Sequence, residues 1–253
     1  MHSAPRALIA GLGLIGGSIG IALRARGWRV AFIDPNVDLH EAQRAGAADE
    51  RVESLDGPTD VIVIATPIDA AIKLLGARHS ALGTITSVAS VMEPLREAAR
   101  TEKFVAGHPL AGSHERGLAA ARADLLRDRV WFLERHEEII DRMVRDCGAR
   151  AEIVNAKEHD AAVALTSHLP QLLSTALAAY IDQHGIEDRF VGSGLRTFLR
   201  LAGSDASVWL PVIEANRANI APHVDAVSQI VRAILDGDST AFERAQRLWL
   251  RLQ

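Results

Sequence analysis

The run Gly11-Leu12-Gly13-Leu14-Ile15-Gly16-Gly17-Ser18 constrains the fold of this chain more than any other stretch. It is entered from the apolar residues Ala7-Leu8-Ile9-Ala10 and left through Ile19 and Leu23 at helical spacing, so it reads as strand, glycine turn, helix. A lone GxGxxG is a weak signal, but one that follows a strand and opens a helix stands where its mechanism needs it. Gly11 permits the tight turn, Gly13 lets a pyrophosphate approach the backbone, and Gly16 lets helix and strand pack closely. The free N–H groups and partial positive charge at the helix start, beside Leu14 and Ile15, then meet the phosphates. The expectation is a doubly wound, mostly parallel α/β sheet of the Rossmann type that holds a dinucleotide; the bland alternative is a glycine-rich turn that binds nothing.

The next strands extend this pattern. Trp28 to Ile33 reads as a second strand ending at Asp34, about twenty residues beyond the glycines, where a carboxylate accepts hydrogen bonds from the adenosine ribose. A carboxylate repels a 2′-phosphate, and Pro35-Asn36-Val37-Asp38 offers no arginine or lysine to hold one, which favours NAD over NADP. Asp34 as a simple turn or helix cap is the competing reading. Asp60 to Ala65 is a continuous apolar strand, as expected when both faces are covered, and Thr66-Pro67-Ile68-Asp69 after it suits a helix start with Thr66 as cap. Its place at the carboxyl end of a central strand also puts Thr66 and Pro67 within reach of a cofactor.

Further strands at Gly83 to Val88 and Lys103 to Ala106 deliver Ser87 and His108 to one sheet edge, the latter on the loop Gly107-His108-Pro109-Leu110-Ala111-Gly112-Ser113-His114. Strands near 130–133 and 150–154 around a helix near 136–146 complete a first domain, residues 1–153. From Asn155, which resembles a helix cap, only helical periodicity remains, so residues 154–253 form an all-helical domain. Pro170, inside its first long helical stretch, must kink that helix or start a new one. The final helix is expected to open on a Thr240-Ala241-Phe242-Glu243 capping box and to carry Phe242, Ala245, Leu248, Trp249 and Leu252 on one face. So small a helical region buries such faces most easily against a second copy, and a homodimer is expected.

Composition narrows the function classes. Of the 253 residues 48% are hydrophobic and 24% charged, an ordinary globular mix, and a net charge of −4 without a long basic block argues against a nucleic-acid partner. Cys147 is the only cysteine, which excludes an internal disulfide and a cysteine-rich zinc site; no metal is expected, and a reducing cytoplasm fits. The N-terminus runs directly into the first strand without a signal-peptide pattern, and the apolar run Val61 to Ala65 is far short of the roughly 18–20 residues of a membrane span.

Five motifs in order, GLGLIGGS at Gly11 to Ser18, TSV at Thr86 to Val88, GHPLAGS at Gly107 to Ser113, SHLP at Ser167 to Pro170 and GSGLRTFLRLAGSD at Gly192 to Asp205, resemble those of the prephenate and arogenate dehydrogenases along essentially the whole chain. The resemblance implies a Rossmann domain followed by an all-helical dimerisation domain, with the active site between them. It implies oxidative decarboxylation of prephenate, hydride passing to NAD and carbon dioxide leaving as the ring becomes aromatic. By motif position, His108 accepts the 4-hydroxyl hydrogen bond and its proton, Ser87 orients the same group, and Arg200 holds a substrate carboxylate with help from Arg196. Ser113 and His114 line the pocket, and His168 lies near the substrate or supports the residues that touch it.

The chemistry is consistent with these roles. A neutral imidazole that takes the hydroxyl proton stabilises the positive character left on the carbinol carbon, and histidine's ordinary pKa, about 6.5, suits the task at neutral pH. The planar fork of an arginine matches a carboxylate. Two residues depart from the family pattern: Gln171 stands where a second histidine is common and can donate a hydrogen bond but no charge, and Thr197 stands where an aspartate is frequent. The alternatives to prephenate are arogenate as substrate, or a non-catalytic NAD-binding regulator. The sequence ends soon after the last helix, so tyrosine inhibition through an appended regulatory domain is not expected.

Overall fold

Strand β1 (Arg6–Ala10) sits at the centre of a sheet because its side chains are apolar on both faces. Ala7 and Ile9 join one core cluster and Leu8 and Ala10 the other, so water is excluded from both sides. The computed structural model of the chain describes residues 4–77, 83–112 and 115–253. After β1 come α1 (Leu14–Ala25), β2 (Arg29–Ile33), α2 (Leu39–Arg44), β3 (Glu50–Arg51) and β4 (Val61–Ile64). Then follow α3 (Ile68–Gly76), β5 (Thr84–Ser87), α4 (Glu93–Ala98) and β6 (Phe104–Val105). The six strands are all parallel in the order β3-β2-β1-β4-β5-β6, the doubly wound Rossmann order. In β4, Val61 and Val63 face the same side as Ile9 while Ile62 and Ile64 face the other, the signature of a parallel strand covered on both faces. Each fully buried isoleucine here contributes roughly 1.5–3 kcal/mol, so the sheet centre holds the strand ends on which the site is built.

A second, three-stranded sheet was not foreseen. Gly107–Pro109, expected as a loop, forms strand β7, antiparallel to β8 (Val130–Leu133). After α5 (Glu138–Asp146), β9 (Arg150–Ile153) pairs parallel to β8. A three-residue strand of glycine, histidine and proline carries no alternating apolar pattern; it is recruited by the ladder of its partner, with His108 opposite Phe132. From Asn155 onward every element is helical, beginning with α6 (Ala156–Val163). Asn155 caps α6 as expected, its side-chain oxygen accepting from the backbone N–H of Lys157 at 3.0 Å.

The chain divides into two compact units, Met1–Val163 with Gly203–Ala215, and Ala164–Ala202 with Asn216–Gln253. Although the last strand ends at Ile153, α6 stays with the sheet, tied to α4 by the carboxylate of Asp160. The second unit opens on a π-helical turn, Ala164–His168, followed by α7 (Leu169–Gln183) and α8 (Ser193–Phe198). Pro170 falls in the first turn of α7, directly after the π turn, in a helical run that continues unbroken from α6. Helix α9 (Ala206–Ala215) returns to the first unit, where Val212 joins its core, while α10 (Arg217–Leu235) and α11 (Thr240–Arg251) belong to the second.

Two expected caps are made differently. Thr66 does not cap α3: the N-cap is Pro67, no side chain bonds there, and the Thr66 hydroxyl is buried without a partner. At α11 the N-cap is Ser239 and the expected box is not formed. Asp238 instead accepts from both the backbone N–H and the hydroxyl of Thr240, which holds its carboxyl below the usual range. None of the residues of α11 is buried, and Phe242, Leu248, Trp249 and Leu252 are exposed. Among the described residues no helix is long and apolar enough to cross a membrane.

Candidate active site

The glycine loop has the geometry that its spacing implied. Gly11 has φ +92°, and a Cβ there would come 2.6 Å from the Ala65 carbonyl oxygen, so only glycine fits the turn. At Gly16 a Cβ would lie 2.0 Å from the Gly11 oxygen, which is the close helix–strand packing expected of it. Around Gly13, by contrast, a Cβ would meet nothing within 4 Å: the backbone there is open, as a phosphate cradle needs. Helix α1 begins next, at Leu14, with Gly13 as an N-cap that contributes no side chain. Gly17, unassigned by the sequence, has a separate task, since a Cβ there would press on Leu118 and Ala121.

Asp34 stands at the end of β2 and does two things at once. Its Oδ2 accepts from the Leu12 N–H at 2.7 Å and its Oδ1 from the Asn36 N–H at 2.8 Å. The turn-cap reading is therefore correct as far as it goes, but a carboxylate offers about four acceptor positions and these bonds use two. It also pins the glycine loop from within. The residues present fit a bound dinucleotide: an open backbone at Gly13, an acidic group at the ribose position, and the orphaned Thr66 hydroxyl at the carboxyl end of β4.

The second cluster is built on β5, β7 and α6. Ser87 is fully buried at the end of β5; its hydroxyl donates to the Gly107 carbonyl at 3.2 Å and accepts from the Gly107 N–H at 3.3 Å. Ser87 thus sets the backbone immediately before His108. The His108 Nδ1 lies 2.9 Å from Nε2 of His159, and the His159 Nδ1 lies 2.7 Å from Oδ1 of Asp160. Asp160 in turn accepts from the backbone N–H groups of Met92 and Glu93, each at 2.8 Å, at the start of α4. His159 and Asp160 are 2% and 1% exposed. Neither was singled out from the sequence. A signal existed: with Ala156 and Val163 they make the buried stripe of α6, and two adjacent ionisable residues on an apolar stripe are out of place unless they bond to something.

Ser113 and His114 lie outside the described residues. Just beyond them, Arg116 pairs with Asp205 at 2.6 Å. Asp205 also accepts from the Ser207 hydroxyl and N–H; the Ser207 hydroxyl first, then the Arg116 guanidinium and the Ser207 N–H, hold its carboxyl well below the usual carboxylate range. Cys147 is buried, and that burial, reinforced by Asp146, pushes its thiol up and away from the reactive thiolate.

In the second unit the expected residues fall into two kinds. Arg196 on α8 and Arg200 in the 3₁₀ turn Leu199–Gly203 are exposed, whereas His168 is fully buried with Nδ1 3.1 Å from the Asn216 amide nitrogen. Gln171, 3% exposed, donates to the Leu201 carbonyl at 2.8 Å and to the Thr175 hydroxyl at 3.1 Å. One turn along α7, Ser174 donates to the Phe198 carbonyl at 2.9 Å. These two bonds bracket Arg200, so Gln171 moors the segment that carries it. Thr197 makes no contact that explains the loss of a carboxylate.

Residues 19–153 match the family model for the nucleotide-binding domain of prephenate dehydrogenase, and residues 155–244 match that for its dimerization domain. The chain belongs to the prephenate dehydrogenase family. Among relatives, a "Prephenate dehydrogenase" from Lactococcus lactis is 29% identical over 93% of this chain and 73% of its own. A "Probable prephenate dehydrogenase NovF" from Streptomyces niveus is 31% identical over 96% of this chain and 73% of its own. This family member therefore spans about three quarters of the length of those relatives. Its fold is that of the prephenate dehydrogenase of A. aeolicus solved with hydroxyphenyl propionate and NAD+, with a TM-score of 0.85, 22% identity, and 99% and 98% of the two chains covered.

Proposed function

We propose that this chain is an NAD-dependent prephenate dehydrogenase that converts prephenate to 4-hydroxyphenylpyruvate in tyrosine biosynthesis. The observation that carries the reading is the anchored His108, joined to a buried histidine–carboxylate pair on the same unit as a glycine loop with Asp34 at the ribose position. NAD, when bound, supplies the hydride acceptor; Gly11, Gly13, Leu14, Ile15 and Gly16 hold its pyrophosphate, Asp34 its ribose, and Thr66 and Pro67 border it. His108 takes the 4-hydroxyl proton on Nε2, because Nδ1 faces His159. As the proton moves, the C–H electrons leave the ring carbon as hydride; the ring C–carboxylate bond then breaks to release carbon dioxide, its electron pair makes the ring aromatic, and the phenolate oxygen so formed takes the proton back from His108. Ser87 serves the step by holding Gly107, which fixes where His108 stands. Arg200, with Arg196 one helical turn away, binds a substrate carboxylate, and Gln171 holds the Arg200 segment. His168, buried against Asn216, supports this region.

The family's dimerization-domain match and the exposed apolar residues of α11 support a homodimer through the helical unit. A buried free thiol suits the reducing cytoplasm. The experiment is a steady-state comparison of prephenate and arogenate with NAD and NADP, together with His108→Asn. Turnover of prephenate with NAD is expected to dominate. His108→Asn should lower kcat by roughly 10² to 10⁴, the usual loss of a general base, with NAD affinity retained. Greater efficiency with arogenate overturns the substrate assignment, and no reduction of NAD with either substrate favours a non-catalytic regulator.

A further inference from the structure

Asp160 is buried and accepts from two backbone N–H groups, Met92 on Oδ1 and Glu93 on Oδ2, bonds that an ionised carboxylate makes on both oxygens. An ionised carboxylate has no proton to give, so the hydrogen in its 2.7 Å contact with His159 belongs to His159 Nδ1. In a neutral His159 the other ring nitrogen, Nε2, is then an acceptor, and the 2.9 Å contact to His108 needs the hydrogen on His108 Nδ1. The consequence reaches the end of the chain of rings: His108 Nε2 is left with a lone pair, which is the form a base requires. Phe132, opposite His108 in the β7–β8 ladder, stands edge-on to His159 with ring centroids 5.4 Å apart, and the two histidines are themselves perpendicular at 89°. This packing holds both rings against rotation.

We propose that His159 and Asp160 are positioning residues that select the Nδ1–H tautomer of His108 and stabilise the imidazolium formed when Nε2 takes the substrate proton. The order of the relay comes from a backbone-bound carboxylate, so it exists before any ligand arrives. On proton transfer, one proton moves from the substrate hydroxyl to His108 Nε2; the Nδ1 hydrogen stays shared with His159 and the His159 hydrogen with Asp160, so no further proton is lost or gained. The positive charge so formed on His108 has the Asp160 carboxylate one ring away in a water-excluded site, where such interactions are stronger than in water. The catalytic consequence rests on His108 being the base, whereas the tautomer does not.

The test uses the ¹⁵N shifts and couplings of the His108 ring in the full-length protein, with and without NAD, alongside steady-state kinetics with prephenate. Wild type should show His108 protonated on Nδ1. In Asp160→Ala, His159 Nδ1 loses the acceptor that fixes its proton, so the Nδ1–H form of His108 is no longer selected and an Nε2–H population should appear, with kcat lowered roughly 10² to 10⁴-fold and KM for prephenate and NAD little changed. His159→Phe leaves Asp160 and its backbone bonds intact and fills the same space, and should lower kcat over the same range in a protein that melts near wild type. A wild-type Nδ1–H population persisting in a folded Asp160→Ala, or full kcat in His159→Phe, overturns the proposal; a purely structural Asp160 would lower the melting temperature without moving the tautomer. If His108→Asn keeps full turnover while the tautomer still switches, the assignment of His108 as base fails and the relay stands.

Discussion

Replacing Asp34 with alanine separates the two tasks that this carboxylate performs. In the cofactor-free protein it removes the acceptor of the Leu12 N–H, and Leu12 is fully buried, so that donor is left without water. An unsatisfied buried donor costs about 1–3 kcal/mol. The Asn36 N–H is exposed and finds water, so its loss adds little. At roughly 2–4 °C per kcal/mol for a chain of this length, the melting temperature should fall by about 2–12 °C. A looser glycine loop weakens both nucleotides alike, so it cancels in the ratio of kcat/KM for NAD over NADP. What remains in that ratio is the ribose contact, about 1.5–3 kcal/mol for a bond to a charged acceptor, and the removal of repulsion against a 2′-phosphate. The ratio should therefore drop by at least about tenfold and toward a hundredfold, since 1.4 kcal/mol is a factor of ten. Asp34→Asn, which keeps one carbonyl for Leu12, should recover most of the melting temperature and still shift the ratio. A lowered melting temperature with an unchanged NAD/NADP ratio would show that Asp34 only pins the loop, and would refute the ribose role.

Two further expectations follow from the bonds around the arginine-bearing segment and its neighbour. Gln171→Leu deletes the bond to the Leu201 carbonyl, worth about 0.5–1.5 kcal/mol, and should raise KM for prephenate by a few-fold to tenfold with kcat nearly unchanged; an unaltered KM in a folded variant counts against the mooring of Arg200. The Asp205 carboxyl is depressed in the folded state, so its contribution to stability is present above its unfolded pKa of about 3.9 and is lost only as pH falls toward the lower folded value. Arg116→Ala should move the Asp205 titration, followed by carboxyl NMR, part of the way back toward the ordinary range, because the Ser207 hydroxyl bond, the first cause of the depression, remains; a complete return would contradict that order.

What was legible in the sequence was what depends on periodicity and on glycine. The strands from Ala7, Trp28 and Asp60, and the helix that the glycine turn opens, follow from apolar spacing that tertiary context does not alter. Features set by a single hydrogen bond were harder to read. Thr66 and Thr240 both have the residue type of a cap, yet the helix at Ile68 starts from Pro67, and Asp238 reaches Thr240 before Thr240 can reach back to its own helix. Strand β7 reads as a loop in the sequence because its pairing comes from β8, more than twenty residues later in the chain. Of the candidate site, Asp34, Ser87 and His108 could be placed at strand ends, but the partners of His108 could not. His159 and Asp160 lie fifty residues further on, and only the fold brings α6 against β7 and α4.

Helix α11 has a consequence for how this protein behaves on dilution. With Phe242 65% and Trp249 59% exposed and no buried residue along its length, it gains little from its own chain. In the homodimer proposed above that burial comes from a second molecule, and burial that depends on a second molecule scales with concentration. The helical unit should accordingly melt at a temperature that rises with protein concentration, while the sheet unit, whose core is closed by its own helices, melts at one that does not.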